Sequence, residues 1–268
     1  MADAAATTFY GGSDQYLRHL AAKDEAIFAT YVEDVARHLP SHARLLELGC
    51  GAGQATELFA RKGYDVLGTD LSPKFIESCR TARPHLRFEA LDITRCDALP
   101  PAMWDGVTSR AVFEHIADVE AALVGCDRLL RPGGLLFIYG PNLLSPFNVP
   151  RAVAKAAIAR APIDTPMFRG PRGAARFVVD SVRQIESKRR GRIEFLKRVP
   201  DFERGHYGGD WDASYVQTQT DYEQWLRRRE YQIIQLACSF GGRAARFITR
   251  LAPRYAGGCG VVARKPGA

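Results

Sequence analysis

The stretch "LLELGCGAGQAT", from Leu45 to Thr56, decides the fold prediction, because it joins a short apolar run to three glycines within five positions. The preceding "RLLEL" is typical of a buried strand, and "ATELFARKG" predicts a short helix that ends near Gly63. Gly49, Gly51 and Gly53 let the turn adopt positive φ and leave room for a ligand against the backbone. Glycines here could serve the turn alone, but the following helix N-terminus offers unpaired N–H groups to a ligand.

Strand and helix patterns alternate outward from this stretch, between residues 44 and 140. "YDVLGTD", "LRFEALD", "WDGVTS" and "LLFIYG" predict four further strands, and "LSPKFIESCR" predicts a helix with Ser72 as its N-cap. "RPGG" predicts a turn, and "YQIIQLA" and "GCGVVARK" near the C-terminus predict two last strands. This order predicts an α/β fold, a doubly wound, mostly parallel seven-stranded sheet.

The alternation stops after Gly140, which suggests three parts within one domain. Residues 1–140 would hold N-terminal helices and the binding core, and residues 141–215, rich in Arg, Pro and Gly, would be an insertion after strand five. Residues 216–268 would complete the same sheet. Because the insertion follows a strand end, we expect it to cover the ligand edge of the sheet as a substrate cap.

Acidic residues follow the second and third predicted strands. Asp70 ends "YDVLGTD", and Asp92 ends "LRFEALD" with Ile93 beside it. A carboxylate after the second strand can accept from both ribose hydroxyls of a nucleoside, and one after the third can accept from an adenine amino group. Either acid alone could be an ordinary turn residue. Their occurrence at successive strand ends, together with the glycine turn, predicts a nucleoside site.

The spacing G-x-G-x-G after Glu47 differs from the G-x-G-x-x-G of dinucleotide-binding folds, which disfavours a nicotinamide dehydrogenase. It resembles the first motif of the class I S-adenosylmethionine (SAM)-dependent methyltransferases. "GTDLS", "LDI", "WDGVTSRAVFEHI" and "LLRPGGLLFI" resemble further motifs of that family, over roughly residues 10–140 and the last two strands. The resemblance implies a seven-stranded Rossmann-like sheet with an antiparallel last strand, and SAM as the cofactor.

The resemblance also implies a role for each matching position. The glycine turn would flank the methionine part of SAM, with the preceding glutamate orienting it. The acid after the second strand would hold the ribose, and the acid after the third would frame the adenine. Residues just past strand four would lie near the methionine end, and two N-terminal tyrosines could close over the cofactor. These residues are Glu47, Gly49, Cys50, Gly51, Gly53, Asp70, Leu71, Asp92, Ile93, Ser109, Arg110, Tyr10 and Tyr16.

Candidate catalytic residues lie in two places. Glu114 and His115, in "FEHI" after strand four, could remove a proton from the methyl acceptor, although the segment could also serve only to open the next helix. His206 and Tyr207, in "GHYGGDWD", would belong to a lid over the substrate, or else to a surface loop. No metal site is predicted, because the cysteines are scattered and no acidic cluster is visible in the sequence.

The acceptor is predicted to be a small organic molecule. The stretch "SRAVFEHI" lacks the Asn/Asp-Pro-Pro-aromatic stretch of enzymes that methylate exocyclic amines, and no Pro-Cys nucleophile is present. The remaining resemblance is to enzymes acting on lipids, quinones, polyketides or sugars. The alternatives are an RNA methyltransferase and a methyltransferase-like binding protein without turnover, against which the acids at positions 47, 70 and 92 argue.

The net charge of +7 lies entirely in residues 151–210, which hold 14 Lys/Arg and 7 Asp/Glu. This basic segment could be a solvated surface, or it could contact an anionic substrate, an anionic membrane or RNA. "FNVPRAVAKAAIARAP" could form a basic helix at a membrane interface. Few aromatics accompany the basic residues, which disfavours nucleic acid. The sequence has no signal peptide and no membrane span, and six unpaired-looking cysteines favour the cytoplasm, with peripheral membrane contact as an option.

Overall fold

The structure is a computed structural model that describes residues 8–11, 13–191, 193–205, 210–236, 247, 249 and 251–267. Its sheet has seven strands in the order β3-β2-β1-β4-β5-β7-β6. Pairing is parallel except around β7, which runs antiparallel to both β5 and β6. The predicted fold class is therefore confirmed. The strands are β1 Arg44–Leu48, β2 Asp65–Asp70, β3 Arg87–Ala90, β4 Trp104–Arg110, β5 Leu130–Pro141, β6 Gln232–Leu236 and β7 Gly258–Arg264.

Two of the helices around the sheet begin at capping side chains that the sequence supplies. Ser72 accepts the backbone N–H of Phe75 at the start of the helix after β2, as predicted, and Asp118 accepts that of Ala121 at the helix after β4. The helices are α1 Asp14–Ala21, α2 Ala26–Ala36, α3 Gln54–Arg61, α4 Pro73–Ala82, α5 Val119–Leu129, α6 Asn148–Ala159, α7 Gly170–Arg189, α8 Phe202–Gly205 and α9 Gln219–Arg228.

Helices pack on both faces of the sheet. On one face, Tyr31 of α2 and Phe59 of α3 pack with Phe137 of β5 in one buried cluster. On the other, Leu123 of α5 and Trp225 of α9 belong to a second cluster. Each such large side chain, when fully buried, contributes about 2 kcal/mol. The sheet is thereby fixed between two apolar layers, which leaves its strand ends to carry polar chemistry.

The central strand β1 lies between β2 and β4. The chain runs outward from β1 to β3 and then returns to the other side of β1 as β4. The connections that follow β1 and β4 therefore leave in opposite directions and open a crevice at the carboxyl ends of these strands, where ligands of such sheets bind. The glycine turn at 49–53 and the residues after Arg110 border that crevice.

Two local predictions differ from the structure. The predicted turn "RPGG" lies inside β5, where the pairing with β4 shifts between Trp104 and Gly106 and Gly133 has a φ of +75°. The predicted third strand is longer than β3, which covers only Arg87–Ala90. In both cases the limits of the strand are set by how far it pairs with its neighbour, β4 for β5 and β2 for β3. The local sequence does not encode that pairing.

Residues 141–215 fold mainly into helices. α6, α7 and α8 lie in this range, joined by segments with two isolated bridges, Asp164 to Arg169 and Lys197 to Tyr215. The predicted basic helix near residue 150 is present as α6, none of whose residues is buried. Within the described part of the chain, no helix is long and apolar enough to cross a bilayer.

A buried ion pair joins the basic segment to the C-terminal part of the chain. Lys188 of α7 is 3% exposed, and its Nζ lies 2.5 Å from Oδ1 of Asp221 and 2.6 Å from the carbonyl oxygen of Glu194. Oδ2 of Asp221 accepts the hydroxyls of Tyr215 and Thr218 at 2.5 and 2.7 Å. Both charges are thus neutralised and hydrogen-bonded, the condition under which burial of an ion pair is tolerated.

The substitution Lys188→Met should destabilise the protein by about 3 kcal/mol, because it leaves the Asp221 carboxylate buried without its counter-charge. Lys62→Met is the matched control: its ion pair with Glu33 is solvent-exposed, so the cost should stay below about 1 kcal/mol. Denaturant unfolding measures both. Equal costs would show that the buried pair contributes nothing special to the attachment of α7.

Candidate cofactor and acceptor site

A cavity of about 370 Å³ lies at the carboxyl ends of the central strands. The turns after β1, β2, β3 and β4 form its walls, and residues from the N-terminal segment, from α1 and from positions 210 and 212 close its sides. Its volume falls within the range of about 300–1,000 Å³ that is usual for small-molecule and cofactor sites. The cavity lies at the edge of the sheet where the sequence predicts a ligand, and it extends well beyond the glycine turn.

The three glycines of the turn all have positive φ, of +71°, +56° and +80° at Gly49, Gly51 and Gly53. A Cβ on Gly49 would lie 2.2 Å from Cγ2 of Val112, so the residue must be glycine for the turns after β1 and β4 to meet. Gly49, Cys50 and Gly51 line the cavity, as predicted. Gly53 does not line it; it is the N-cap of α3, and a side chain there would press on Cys79 and Phe88.

Asp70 and Leu71 line the cavity at the end of β2. Oδ2 of Asp70 accepts the backbone N–H of Gly51 at 3.0 Å, and Oδ1 accepts that of Ser72 at 3.0 Å. Burial raises the pKa of Asp70 to about 6, while these N–H donors act to lower it. Each carboxylate oxygen keeps a second lone pair, so the acid can still accept from two ligand hydroxyls.

Asp92 and Ile93 line the cavity after β3, as predicted. Oδ1 of Asp92 also accepts the backbone N–H and the hydroxyl of Thr94, at 2.9 and 2.7 Å. Asp92 therefore stabilises its own turn and also lines the cavity. The two roles considered from the sequence, turn residue and ligand contact, are compatible. Phe75 and Leu91 add apolar surface beside it, suited to a flat aromatic ring.

Glu47 and Ser109 lie beneath the cavity and do not line it. Oε2 of Glu47 accepts the hydroxyl of Thr56 at 2.6 Å, which ties β1 to α3. Burial raises the pKa of Glu47 to about 7. Ser109 in β4 is 1% exposed, and its hydroxyl has no hydrogen-bond partner among the described residues. Glu47 thus supports the loop, consistent with an orienting role, and Ser109 is an interior residue.

Two cations, Lys23 and Arg110, line the cavity. Arg110 is the last residue of β4, and its guanidinium lies 5.2 Å from the centre of the Phe28 ring. Lys23 was not predicted; burial and the nearby charge of Arg110 lower its pKa. These two side chains are suited to a carboxylate. Tyr16 also lines the cavity, as predicted, and burial raises the pKa of its hydroxyl, so that it stays protonated.

An acidic group surrounds His115 in the same cavity, where Glu114 and Asp212 also interact electrostatically with Lys23. Glu114, Asp210 and Asp212 line the cavity with it. Nε2 of His115 lies 3.8 Å from Oε1 of Glu114, and Nδ1 lies 3.6 Å from Oδ2 of Asp212. Burial lowers the pKa of His115, but the three carboxylates raise it more, so the net pKa is above its ordinary value. Burial raises the pKa of Glu114 to about 7.

Asp210 and Asp212 were not predicted as site residues, although both lie in the stretch "GHYGGDWD". The residues predicted from that stretch, His206 and Tyr207, lie outside the described residues. Tyr10, weighed only as a lid residue, donates its hydroxyl to Oδ2 of Asp212 at 2.9 Å. Across the described ranges, no group of three or more His, Cys, Asp or Glu is arranged to hold a metal ion.

Comparisons with known proteins agree with this geometry. Residues 46–138 match the family described as "Methyltransferase domain". The ubiquinone biosynthesis O-methyltransferases of Cereibacter sphaeroides and Sinorhizobium medicae are 40% and 36% identical over 119 and 138 residues. These matches cover 42% and 50% of this chain and 47% and 52% of the relatives. The chain thus matches about half the length of the curated relatives.

A solved S-adenosylmethionine-dependent methyltransferase from Mesorhizobium loti has the same fold, with a TM-score of 0.59, 19% identity and coverage of 89% of this chain and 98% of that one. The methyltransferase domain predicted from the glycine and strand-end motifs is therefore confirmed over residues 46–138, and the fold is that of a solved SAM-dependent methyltransferase. SAM is the cofactor of this domain class, and the cavity offers the carboxylates, cations and apolar surface that it requires.

Replacing Glu47 by Gln should change the pH dependence of stability. Between about pH 4.5 and 7 the unfolded chain ionises this residue while the folded chain keeps its proton, so stability falls as pH rises, by up to about 1.4 kcal/mol per unit. Glu47→Gln removes that slope. The free energy of unfolding of the variant, relative to that of the wild type, should therefore rise by on the order of 2 kcal/mol from pH 5 to pH 8, as measured by denaturant unfolding.

Glu33→Gln, at an exposed carboxylate, is the control and should show no such gain. A stability difference between Glu47→Gln and wild type that stays constant over this pH range would mean that Glu47 titrates normally, and that its burial does not perturb it.

Proposed function

We propose that the protein transfers a methyl group from SAM to a small organic acceptor, with a hydroxyl on a quinone-like ring as the favoured acceptor chemistry. The observation that carries this proposal is the adjacency, in one cavity, of the nucleoside-type residues Asp70 and Asp92 and a proton-accepting group at His115. The names of the relatives, which are O-methyltransferases, support the same chemistry.

The charges in the cavity indicate how SAM would be oriented in it. Asp70 would accept the ribose hydroxyls, Asp92 with Ile93 would face the adenine, and Lys23 with Arg110 would attract the methionine carboxylate. SAM supplies an electrophilic methyl group on a sulfonium with a good leaving group. The protein then has to align the acceptor and exclude water, and the buried cavity suits both tasks.

The acceptor end favours a group that arrives neutral and loses a proton. His115 would accept that proton, as its position beside the cavity and its acidic neighbours suggest. The three carboxylates around it would repel an anionic acceptor group, so an anionic part of the substrate, if present, would have to lie toward Lys23 and Arg110. The substrate-cap role of residues 141–215 rests on Asp210 and Asp212, which that segment brings to the cavity.

The basic residues give little support to RNA as the acceptor. Lys23 and Arg110 are the only cations among the described lining residues, and no Lys or Arg of α6 or α7 lines the cavity. A polynucleotide held by those helices would have to reach an acidic acceptor end. Small-molecule methylation therefore accounts better for the charge distribution than RNA methylation does.

The function is tested by incubating the purified protein with methyl-labelled SAM and host extract, which is then divided into lipid, small polar, protein and RNA pools. We expect label in the lipid or small polar pool, at least tenfold above that given by Asp70→Ala, which should lose SAM binding. Label in RNA would overturn the small-molecule proposal. Bound SAM without label in any pool would favour a methyltransferase-like binding protein.

We also propose a cytoplasmic location with peripheral contact to an anionic membrane through α6. Its exposed residues combine Ile158, 86% exposed, with Val153, Arg151, Lys155 and Arg160. A basic helix with exposed apolar side chains is attracted to anionic lipid by charge and held by partial burial of those side chains. A quinone-like acceptor would itself reside in such a membrane.

The protein should therefore sediment with phosphatidylserine-containing vesicles but not with phosphatidylcholine vesicles, and added salt should weaken this binding. The double variant Lys155→Glu/Ile158→Ser should lose most of the binding, whereas Lys62→Glu, a charge reversal on α3, should keep it. Absence of binding to anionic vesicles, or equal loss in both variants, would remove α6 as a membrane contact.

A further inference from the structure

Asp212 occupies a position between two parts of the site that are far apart in sequence. It is 3% exposed. Its Oδ2 accepts the hydroxyl of Tyr10 at 2.9 Å and lies 3.6 Å from Nδ1 of His115, while its backbone carbonyl oxygen lies 3.4 Å from the same nitrogen. One residue thus contacts the N-terminal segment with its carboxylate and the histidine with both its carboxylate and its backbone.

The backbone around Asp212 is held in place by hydrogen bonds to the turn after β4. The carbonyl oxygen of Glu114 accepts the N–H groups of Ser214 and Tyr215 at 2.8 and 3.0 Å. The N–H of Arg198 donates to the carbonyl oxygen of Ser214 at 2.8 Å. Because Glu114 precedes His115 directly, the same turn that presents the histidine also fixes the segment that carries Asp212.

The contacts of His115 indicate different roles for its two nitrogens. Nδ1 faces the backbone carbonyl oxygen of Asp212 and its carboxylate oxygen Oδ2. A proton on Nδ1 therefore has acceptors on that side. Nε2 would then be unprotonated and able to accept a proton, with Oε1 of Glu114 3.8 Å away. The charged and titratable groups that line the cavity around the ring are Glu114, Asp210, Asp212, Tyr10, Tyr16, Lys23 and Arg110.

Tyr10 joins the same arrangement to the N-terminal segment. Its ring centre lies 5.8 Å from that of His115 and 5.5 Å from that of Tyr16, both in cavity-lining residues. Burial and the charge of Asp212 raise the pKa of Tyr10, so it remains a hydrogen-bond donor. Phe9 stacks on Phe202 of α8, with ring centres 4.8 Å apart, which gives the N-terminal segment a second contact, to α8.

We propose that Asp212 is the positioning residue of the methyl-transfer site, which holds His115 as the proton acceptor and joins it through Tyr10 to the N-terminal cover of the cofactor. This inference rests on the proposed function for the chemistry that His115 performs. The contacts themselves stand without it, and they make Asp212 the one described residue that hydrogen-bonds to both His115 and Tyr10.

Asp212 assists the proton transfer that accompanies methyl transfer. The acceptor oxygen forms a bond to the methyl carbon as the bond from that carbon to sulfur breaks, and the electron pair of the broken bond stays on sulfur. The acceptor proton passes to Nε2 of His115. The imidazolium so formed is stabilised by Asp212 at Nδ1, and it returns its proton to water after the products leave.

The histidine half of the proposal is tested by titrating carbon-13-labelled histidine rings by NMR, with His115→Gln used to assign the resonance. Asp212→Asn removes the charge but keeps the shape, so the pKa of His115 should fall by about one unit or more. Asp201→Asn, at an exposed acid of the same segment, should leave it unchanged. An unchanged pKa in Asp212→Asn would overturn the role of Asp212.

The tyrosine half is tested with the affinity for S-adenosylhomocysteine. Asp212→Ala and Tyr10→Phe should each weaken binding by about fivefold, and the double variant should be no weaker than either single variant, because each single change already removes the hydrogen bond between Tyr10 and Asp212. Independent, additive losses would show that Tyr10 and Asp212 act separately. That result would overturn the proposed link between the N-terminal segment over the cofactor and His115.

These readouts separate the inference from the proposed function. If no pool accepts label while Asp212→Asn still lowers the pKa of His115, methyl transfer fails and the positioning contact stands. If turnover is found, its rise with pH should shift to lower pH in Asp212→Asn by the same amount as the His115 pKa, and kcat should fall. A purely structural role for Asp212 would leave the midpoint of the pH profile where it is.

Discussion

The hydrogen bond from the Gly51 backbone to the Asp70 carboxylate is the constraint on which the site depends, since it joins the turn after β1 to the end of β2. A second bond, from the Cys50 N–H to the carbonyl oxygen of Thr69 at 2.8 Å, reinforces it. The turn can follow this path only with glycine at 49, where a side chain would strike Val112. These contacts fix the path of the glycine turn, which forms one wall of the cavity in the crevice between β1 and β4.

The surface helices between residues 151 and 210 are rich in basic residues, whereas part of the cavity wall is acidic. The excess of basic residues between 151 and 210 lies largely on helices whose side chains do not reach the cavity, whereas Asp210 at the end of this segment and Asp212 just after it do. The buried pair of Lys188 and Asp221 holds this segment to the core. A chain with a net charge of +7 can thus combine a basic exterior with acidic residues in its cavity.

The sequence predicted the elements whose determinants are local. Glycine spacing, the acid at position 70 and the alternation of patterns were enough for the sheet and the cofactor edge, because each strand end carries its own chemistry. Sequence spacing could not show that Gly53 and Ser109 serve packing, nor that Lys23 and Asp212 reach the same cavity from positions 189 residues apart. Such long-range contacts arise from the way the segments fold over the sheet, and no periodicity records them.

The most direct test of the account is a calorimetric titration of the wild-type protein with S-adenosylhomocysteine and, separately, with NAD. Asp70, Asp92 and the paired cations Lys23 and Arg110 predict saturable one-to-one binding of the former. The G-x-G-x-G turn predicts no measurable binding of the latter at the same concentrations. Absence of S-adenosylhomocysteine binding, or tighter binding of NAD, would contradict the assignment of this cavity to SAM.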